Sequence, residues 1–155
     1  MLKLARPSPA TNSMSDKFFL DTNIFVYCFD ETQPQKKVRS LALIADALQT
    51  GDGIISTQVM QEFLNVATRK FSVPLKPEDA KIYLQKVMYP LCHVFQDLDL
   101  YQSALDILRD TGYSFYDSLI LSGALRGECT ILYSEDLQSG QRVNRVNIIN
   151  PYVSL

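Results

Sequence analysis

Four carboxylates in this 155-residue chain stand at positions that solubility does not explain. Asp21 closes the short apolar run Lys17-Phe18-Phe19-Leu20, and Asp136 follows a second run, Thr130-Ile131-Leu132-Tyr133, by a few residues. Glu62 comes three residues after Val59, one before Phe63 and four before Val66. At ~100° per residue that spacing puts it on or beside the apolar stripe of a helix. Asp117 lies three before Ile120, four before Leu121 and seven before Ala124, so it too shares an inward face. A carboxylate on such a face is costly unless it is paired, protonated or bound to a metal, and no Lys, Arg or His is close in sequence to Glu62 or Asp117. Four acids meeting in one crevice would repel one another. A hard divalent cation such as Mg2+ or Mn2+ removes that conflict and keeps waters for chemistry. The reaction suited to such a site is hydrolysis of a phosphodiester.

Each acid also has a plainer reading by itself. Asp21, Thr22 or Asn23 can cap a helix, and Glu62 can be a partly exposed helix acid. Asp117 can close a capping box in Ser114-Phe115-Tyr116-Asp117, and Asp136 can be a turn residue. What separates the readings is architecture. In open parallel sheets, ligands bind outside the carboxyl ends of the strands, so Asp21 and Asp136 at adjacent strand ends would define a shared site.

The elements that must position these residues follow from periodicity. Five short apolar runs predict strands: Lys17–Asp21, Ile54–Ser56, Cys92–Phe95, Thr130–Tyr133 and Val146–Ile149. Between them, helices are predicted over Ile24–Phe29, Lys36–Leu48, Thr57–Lys70, Pro77 to about Tyr89, Leu98–Asp110 and Asp117–Arg126. Gln33-Pro34-Gln35 reads as a break before the second, whose inward stripe reads as Val38, Leu41, Ala42, Ala45 and Leu48. Alternating elements with continuously apolar strands predict an α/β fold, a three-layer α/β/α sandwich around a mostly parallel sheet of about five strands.

Composition narrows the class. The chain is 46% hydrophobic and 21% charged, which is globular rather than disordered. Its apolar runs are far short of the ~20 residues that span a membrane. A net charge of −2 removes any argument from a globally basic surface, while leaving room for a local basic patch. Cys28, Cys92 and Cys129 form no zinc-type spacing and suggest a reduced, cytoplasmic protein. His93, the single histidine, makes a Ser–His–Asp or Cys–His enzyme improbable. Residues 1–15 read as a loose tail without a secretory signal, with Met14 as an alternative start. Residues 16–155 read as one domain.

Taken together, these motifs resemble the PIN-domain family. Phe19-Leu20-Asp21-Thr22-Asn23-Ile24 is similar to the family's opening strand and acidic motif. Gln61-Glu62-Phe63-Leu64-Asn65 resembles its second acidic position, Tyr116-Asp117-Ser118-Leu119-Ile120 its third, and Tyr133-Ser134-Glu135-Asp136 its fourth. The resemblance covers Lys17 to about Pro151. It implies a small nuclease that cuts RNA with Mg2+ or Mn2+, with Asp21, Glu62, Asp117 and Asp136 as the catalytic set. It implies metal binding by Asp21, Asp117 and Asp136, with Asn23 orienting the first Asp or the substrate and Ser134 supporting by hydrogen bonds. Many compact members, called VapC-type, are toxins held by an antitoxin, and many form homodimers, so the resemblance implies both kinds of partner. Where many relatives carry a further acid after the fourth position, this chain has Leu137 and Gln138. Glu135 either replaces it or points to solvent, which leaves one metal or two open.

RNA also requires cations for its phosphates. Arg142 and Arg145, which follow Asp136 closely, are the candidate RNA contacts; Lys36, Lys37 and Arg39, like Arg69 and Lys70, fit a solvated face better. Tyr113, Phe115 and Tyr116 suit core or interface packing, with base stacking as the other use. Two further functions compete. One is a catalytically silent binding or assembly module on the same fold. The other is an Asp-dependent phosphatase, which the lack of a Lys in the late strands and Asn23 two residues after Asp21 disfavour.

Overall fold

The computed structural model describes residues 16–155; the expected tail, residues 1–15, lies outside them. The first strand, β1 (Phe18–Leu20), is fully buried and leads into helix α1 (Thr22–Tyr27) and then α2 (Pro34–Thr50). Pro34 is not a breaker: it occupies the first turn of α2, where its missing N–H costs nothing. Strand β2 (Gly53–Ser56) precedes helix α3 (Thr57–Arg69). Helix α4 (Pro77–Tyr83) continues through a π-helical segment, Leu84–Met88, into the short α5 (Tyr89–Leu91), so the chain stays helical past Pro90. Edge strand β3 (Cys92–Val94) follows, then α6 (Leu98–Thr111) and α7 (Phe115–Arg126). Gly112 ends α6 in the left-handed conformation, at φ 75°, that glycine adopts without a Cβ penalty. The chain closes with β4 (Ile131–Tyr133), β5 (Arg142–Val143) and β6 (Val146–Ile149).

The strands form one six-stranded sheet in the order β3-β2-β1-β4-β6-β5. All pairings are parallel except β5 with β6, a hairpin in which Val143 faces Val146. The layered, mostly parallel architecture is the expected one; β5 is the additional strand. The two faces are covered from opposite sides because neighbouring strand residues point opposite ways. Phe18 lies towards Ala47 of α2, and Phe19 towards Gly123 of α7.

Helix α2 corrects one expectation. Its buried residues are Ser40, Leu43, Ile44 and Ala47, while Val38, Leu41, Ala42, Ala45 and Leu48 face outward. Two stripes of helical period run side by side here. The inward one is disguised in sequence by Ser40, whose hydroxyl is buried against the Tyr152 hydroxyl at 2.6 Å.

Close packing between α2 and the sheet depends on Gly53. A Cβ there would lie 2.3 Å from Ala47 Cβ and 2.5 Å from a Phe18 ring carbon. Overpacking of this kind costs about 1–3 kcal/mol. Gly53→Ala is therefore expected to lower the thermal midpoint by about 5 °C, read from a circular-dichroism melt.

Candidate active site

Strand order fixes where the site must be. From β1 the sheet grows through β2 and β3 on one side, and through β4 and β6 on the other, which makes the carboxyl ends of β1 and β4 the topological switch point. Leu20 pairs with Tyr133, and the Asp21 amide donates to the Tyr133 carbonyl at 3.1 Å. Asp21 and Ser134 thus emerge side by side from the sheet.

Asp21 is only 5% exposed. It caps α1, accepting from the Thr22 amide at 2.7 Å, and its other oxygen accepts from the Ser134 hydroxyl at 2.7 Å. Burial pushes its carboxyl up to about 7; the Ser134 and Thr22 hydrogen bonds pull it down, and the Glu62 and Asp136 carboxylates push it up again. Neither of its hydrogen-bond donors carries a charge.

Glu62 and Asp136 are tied to Asp21 through neighbouring residues, and Asp117 through its backbone alone. Thr22 Oγ1 donates to Glu62 Oε2 at 2.7 Å, and Gln58 Nε2 donates to Glu62 Oε1 at 2.7 Å. Gln58 Nε2 also donates to the Tyr116 carbonyl at 2.9 Å, which joins α3 to the first turn of α7, where Asp117 stands half-buried. Ser114 caps that turn, accepting from the Asp117 amide at 3.2 Å. Ser134 Oγ accepts from the amides of Asp136 and Leu137 at 3.2 and 3.3 Å, shaping the turn that carries Asp136. Asn23 Nδ2 donates to Asp136 Oδ2 at 2.8 Å. The acid that Asn23 touches is thus the fourth, reached from α1 across the loop after β4.

Glu135 does not simply point to solvent. Lys36 and the Tyr27 hydroxyl both bond to it. Although partial burial pushes its carboxyl up, these two partners hold it below its ordinary value. Lys36 also lies over the rings of Tyr27 and Tyr152, at 4.8 and 5.4 Å from their centroids.

Arg142 and Arg145 are not brought to the acids. The register of β4 against β6 sets Arg145 level with Cys129, five residues below Ser134, or about 16 Å at ~3.3 Å per residue. Its guanidinium donates to the Leu125 carbonyl at 3.1 Å at the far end of α7, and Arg142 donates to the Asn144 carbonyl at 2.9 Å. His93 is exposed on edge strand β3, and the three cysteines are buried and unpaired. Tyr113 bonds to Gln141 and the Gln138 amide, and Phe115 packs against the core; Tyr116, 66% exposed, lies beside Asp117 with its ring edge-on to Phe115 at 5.7 Å.

Gln58 and Tyr27 escaped the sequence reading; Thr22 was read there only as a cap, and Lys36, read as part of a solvated face, is instead half-buried and bonded to Glu135. Only Gln58 carried a local signal, since it precedes Glu62 by one helical turn.

Among the described residues, no three His, Cys, Asp or Glu side chains already converge as a closed metal cage. The donor set nonetheless suits Mg2+ or Mn2+. It consists of oxygens only, and Mg2+ ordinarily takes one or two carboxylates and keeps several waters. The Thr57 and Ser118 hydroxyls and the Gln58 carbonyl oxygen are buried without partners on the helices that carry Glu62 and Asp117, and the Ser56 hydroxyl at the end of β2 just before α3. Polar groups of that kind are ready to receive bound water.

A layered α/β domain with clustered acids at its switch point defines a class of small acidic-site proteins. Residues 18–143 match the family model for the PIN domain, and the chain belongs to that family. Solved structures share the fold. The VapC20 toxin of Mycobacterium tuberculosis, described as cleaving the sarcin-ricin loop, is 16% identical, with a TM-score of 0.58 over 77% of this chain and 89% of that one. VapBC2 from Rickettsia felis, bound to a DNA fragment from its promoter, is 19% identical, with a TM-score of 0.55 over 84% and 96%. DNA-bound VapBC from Salmonella typhimurium is 20% identical, with a TM-score of 0.57 over 85% and 96%. At these identities the likeness is one of fold. No curated protein matches the chain in sequence.

Proposed function

We propose that this chain is a metal-dependent endoribonuclease of VapC type, acting as the toxin of a toxin–antitoxin pair. The observation that carries the reading is Asp21. It is buried at the switch point and pressed by Glu62 and Asp136, with only uncharged donors on its oxygens. Bound Mg2+ or Mn2+ would neutralise charge developing on a phosphodiester and lower the pKa of a coordinated water. Asp21, Asp117 and Asp136 are the residues that would hold the ion. Glu62, held from both sides by Thr22 and Gln58, adds fixed negative charge to the crevice. Asn23 and Ser134 keep Asp136 and Asp21 in place.

The structural neighbours, one a toxin that cleaves the sarcin-ricin loop and two VapBC assemblies, support RNA as substrate and an antitoxin as partner. A homodimer follows from the family resemblance alone. Three unpaired cysteines favour the cytoplasm, and among the described residues no helix is long and apolar enough to cross a membrane.

The test is cleavage of a mixed RNA pool by purified protein, with Mn2+ and with excess chelator. Cleavage is expected only with the metal. Asp117→Asn is expected to reduce it by more than about a hundredfold, since charge stabilisation by the ion is worth several kcal/mol. Metal binding without cleavage would favour the silent module. Turnover of a small phosphomonoester would favour Asp21 as a nucleophile.

A further inference from the structure

We infer that Gln58 is a positioning residue of the acidic crevice, whose side-chain amide holds Glu62 and the start of α7 in a fixed relation. The inference deepens the nuclease reading and rests on it for the identity of the reaction. Gln58 is 4% exposed in the first turn of α3. Its Nε2 donates both available hydrogens, to Glu62 Oε1 at 2.7 Å and to the Tyr116 carbonyl at 2.9 Å. The reverse orientation of the amide would set Oε1 against a carboxylate and a carbonyl, so chemistry fixes which way it points.

A continuous polar thread results. It runs from Asp21 through the peptide to Thr22, by hydrogen bond to Glu62, to Gln58 and to Tyr116, and through the next peptide to Asp117. Three acids from three separate elements are thereby spaced by two side chains, Thr22 and Gln58. Packing does not account for an amide at this position. Its own Oε1 is buried and has no donor, a cost that Met or Leu of similar volume would avoid. What the amide provides is the pair of donated bonds.

The test uses the full chain carrying Gln58→Met and, separately, the isosteric Gln58→Glu, which sets a carboxylate against Glu62. Three quantities are read: Mn2+ affinity by titration calorimetry, kcat and KM on RNA, and the thermal midpoint in chelator. Partners that orient metal-binding groups typically matter by 10–100-fold. Both variants are expected to lose about 10–100-fold in Mn2+ affinity, with a matching fall in kcat and KM changed by less than about twofold. The midpoint of Gln58→Met in chelator is expected to fall by only a few degrees, because shedding the partnerless Oε1 offsets part of the loss of two donated bonds; a loss of Mn2+ affinity in that still-folded protein is what a purely structural role would not give. A folded Gln58→Met or Gln58→Glu protein with wild-type Mn2+ affinity would overturn the inference. So would losses that merely follow unfolding. If the wild type binds Mn2+ but cuts no RNA, the nuclease reading fails while the Mn2+ arm still decides the role of Gln58. If the wild type binds no Mn2+, both fall together.

Discussion

At pH 8 in chelator, Asp21→Asn is expected to melt several degrees above the wild-type protein. Asp21 holds its proton up to about 7 in the fold, against ~3.9 in an unfolded chain. Between those values the folded state binds more protons than the unfolded one. Wild-type stability therefore falls as the pH rises from about 4 to about 7, and stays low above that. The ionised carboxylate costs the fold on the order of 4 kcal/mol at pH 8. Asparagine removes that charge and keeps the bond from the Thr22 amide. It loses the bond from Ser134, whose oxygen already accepts from the Asp136 and Leu137 amides, at a cost of about 1 kcal/mol. The net gain is about 2–3 kcal/mol, or roughly 4–12 °C for a domain of this size. Differential scanning calorimetry from pH 5 to pH 8 checks the sign: the advantage of the variant should shrink towards pH 5. Mn2+ at about 100 times its Kd should return about 2.7 kcal/mol to the wild type alone. A wild type that outmelts the variant at pH 8 in chelator would show that burial does not penalise Asp21.

Phe63→Ala is expected to be the most damaging core change. Phe63 is wholly buried one residue after Glu62, with the rings of Phe25, Phe29, Phe71 and Tyr83 at 6.3, 5.7, 6.1 and 5.1 Å. Removing such a ring costs about 3–5 kcal/mol. Urea unfolding should show that loss as a lower midpoint at unchanged slope, and the thermal midpoint should fall by about 10 °C. Phe63→Leu keeps much of the volume and is expected to cost well under half as much. An equal loss in both variants would mean that ring packing is not what stabilises this region.

The strands and their terminal acids were legible because both depend on short-range pattern. An apolar run broken by a carboxylate marks where β1 leaves the core, and Asp21 sits there as read. Strand β5 was not legible, since two residues have no period. The inward face of α2 was misread because Ser40 is made acceptable in the core by Tyr152, a partner 112 residues away. Closeness along the chain did not translate into closeness in space for Arg142 and Arg145. They follow Asp136 closely, but the chain runs down the sheet before turning back at Asn144 into β6. The ties that order the site, Asn23 to Asp136 and Gln58 to Tyr116, span 113 and 58 residues and leave no local trace.

The position of β4 in the sheet has a consequence for synthesis. This strand is made late, yet it inserts beside β1 and supplies Ser134 and Asp136. Ribosomes add about 5–20 residues per second, so Asp21 exists for roughly 6–23 s before its loop partners are made. Through that interval the emerging chain carries half a crevice and an unpaired edge on β1, which invites pairing with another chain. A nascent chain of this kind lacks the second half of its acidic crevice until its last third has folded, and is most prone to aggregate just before that crevice is complete.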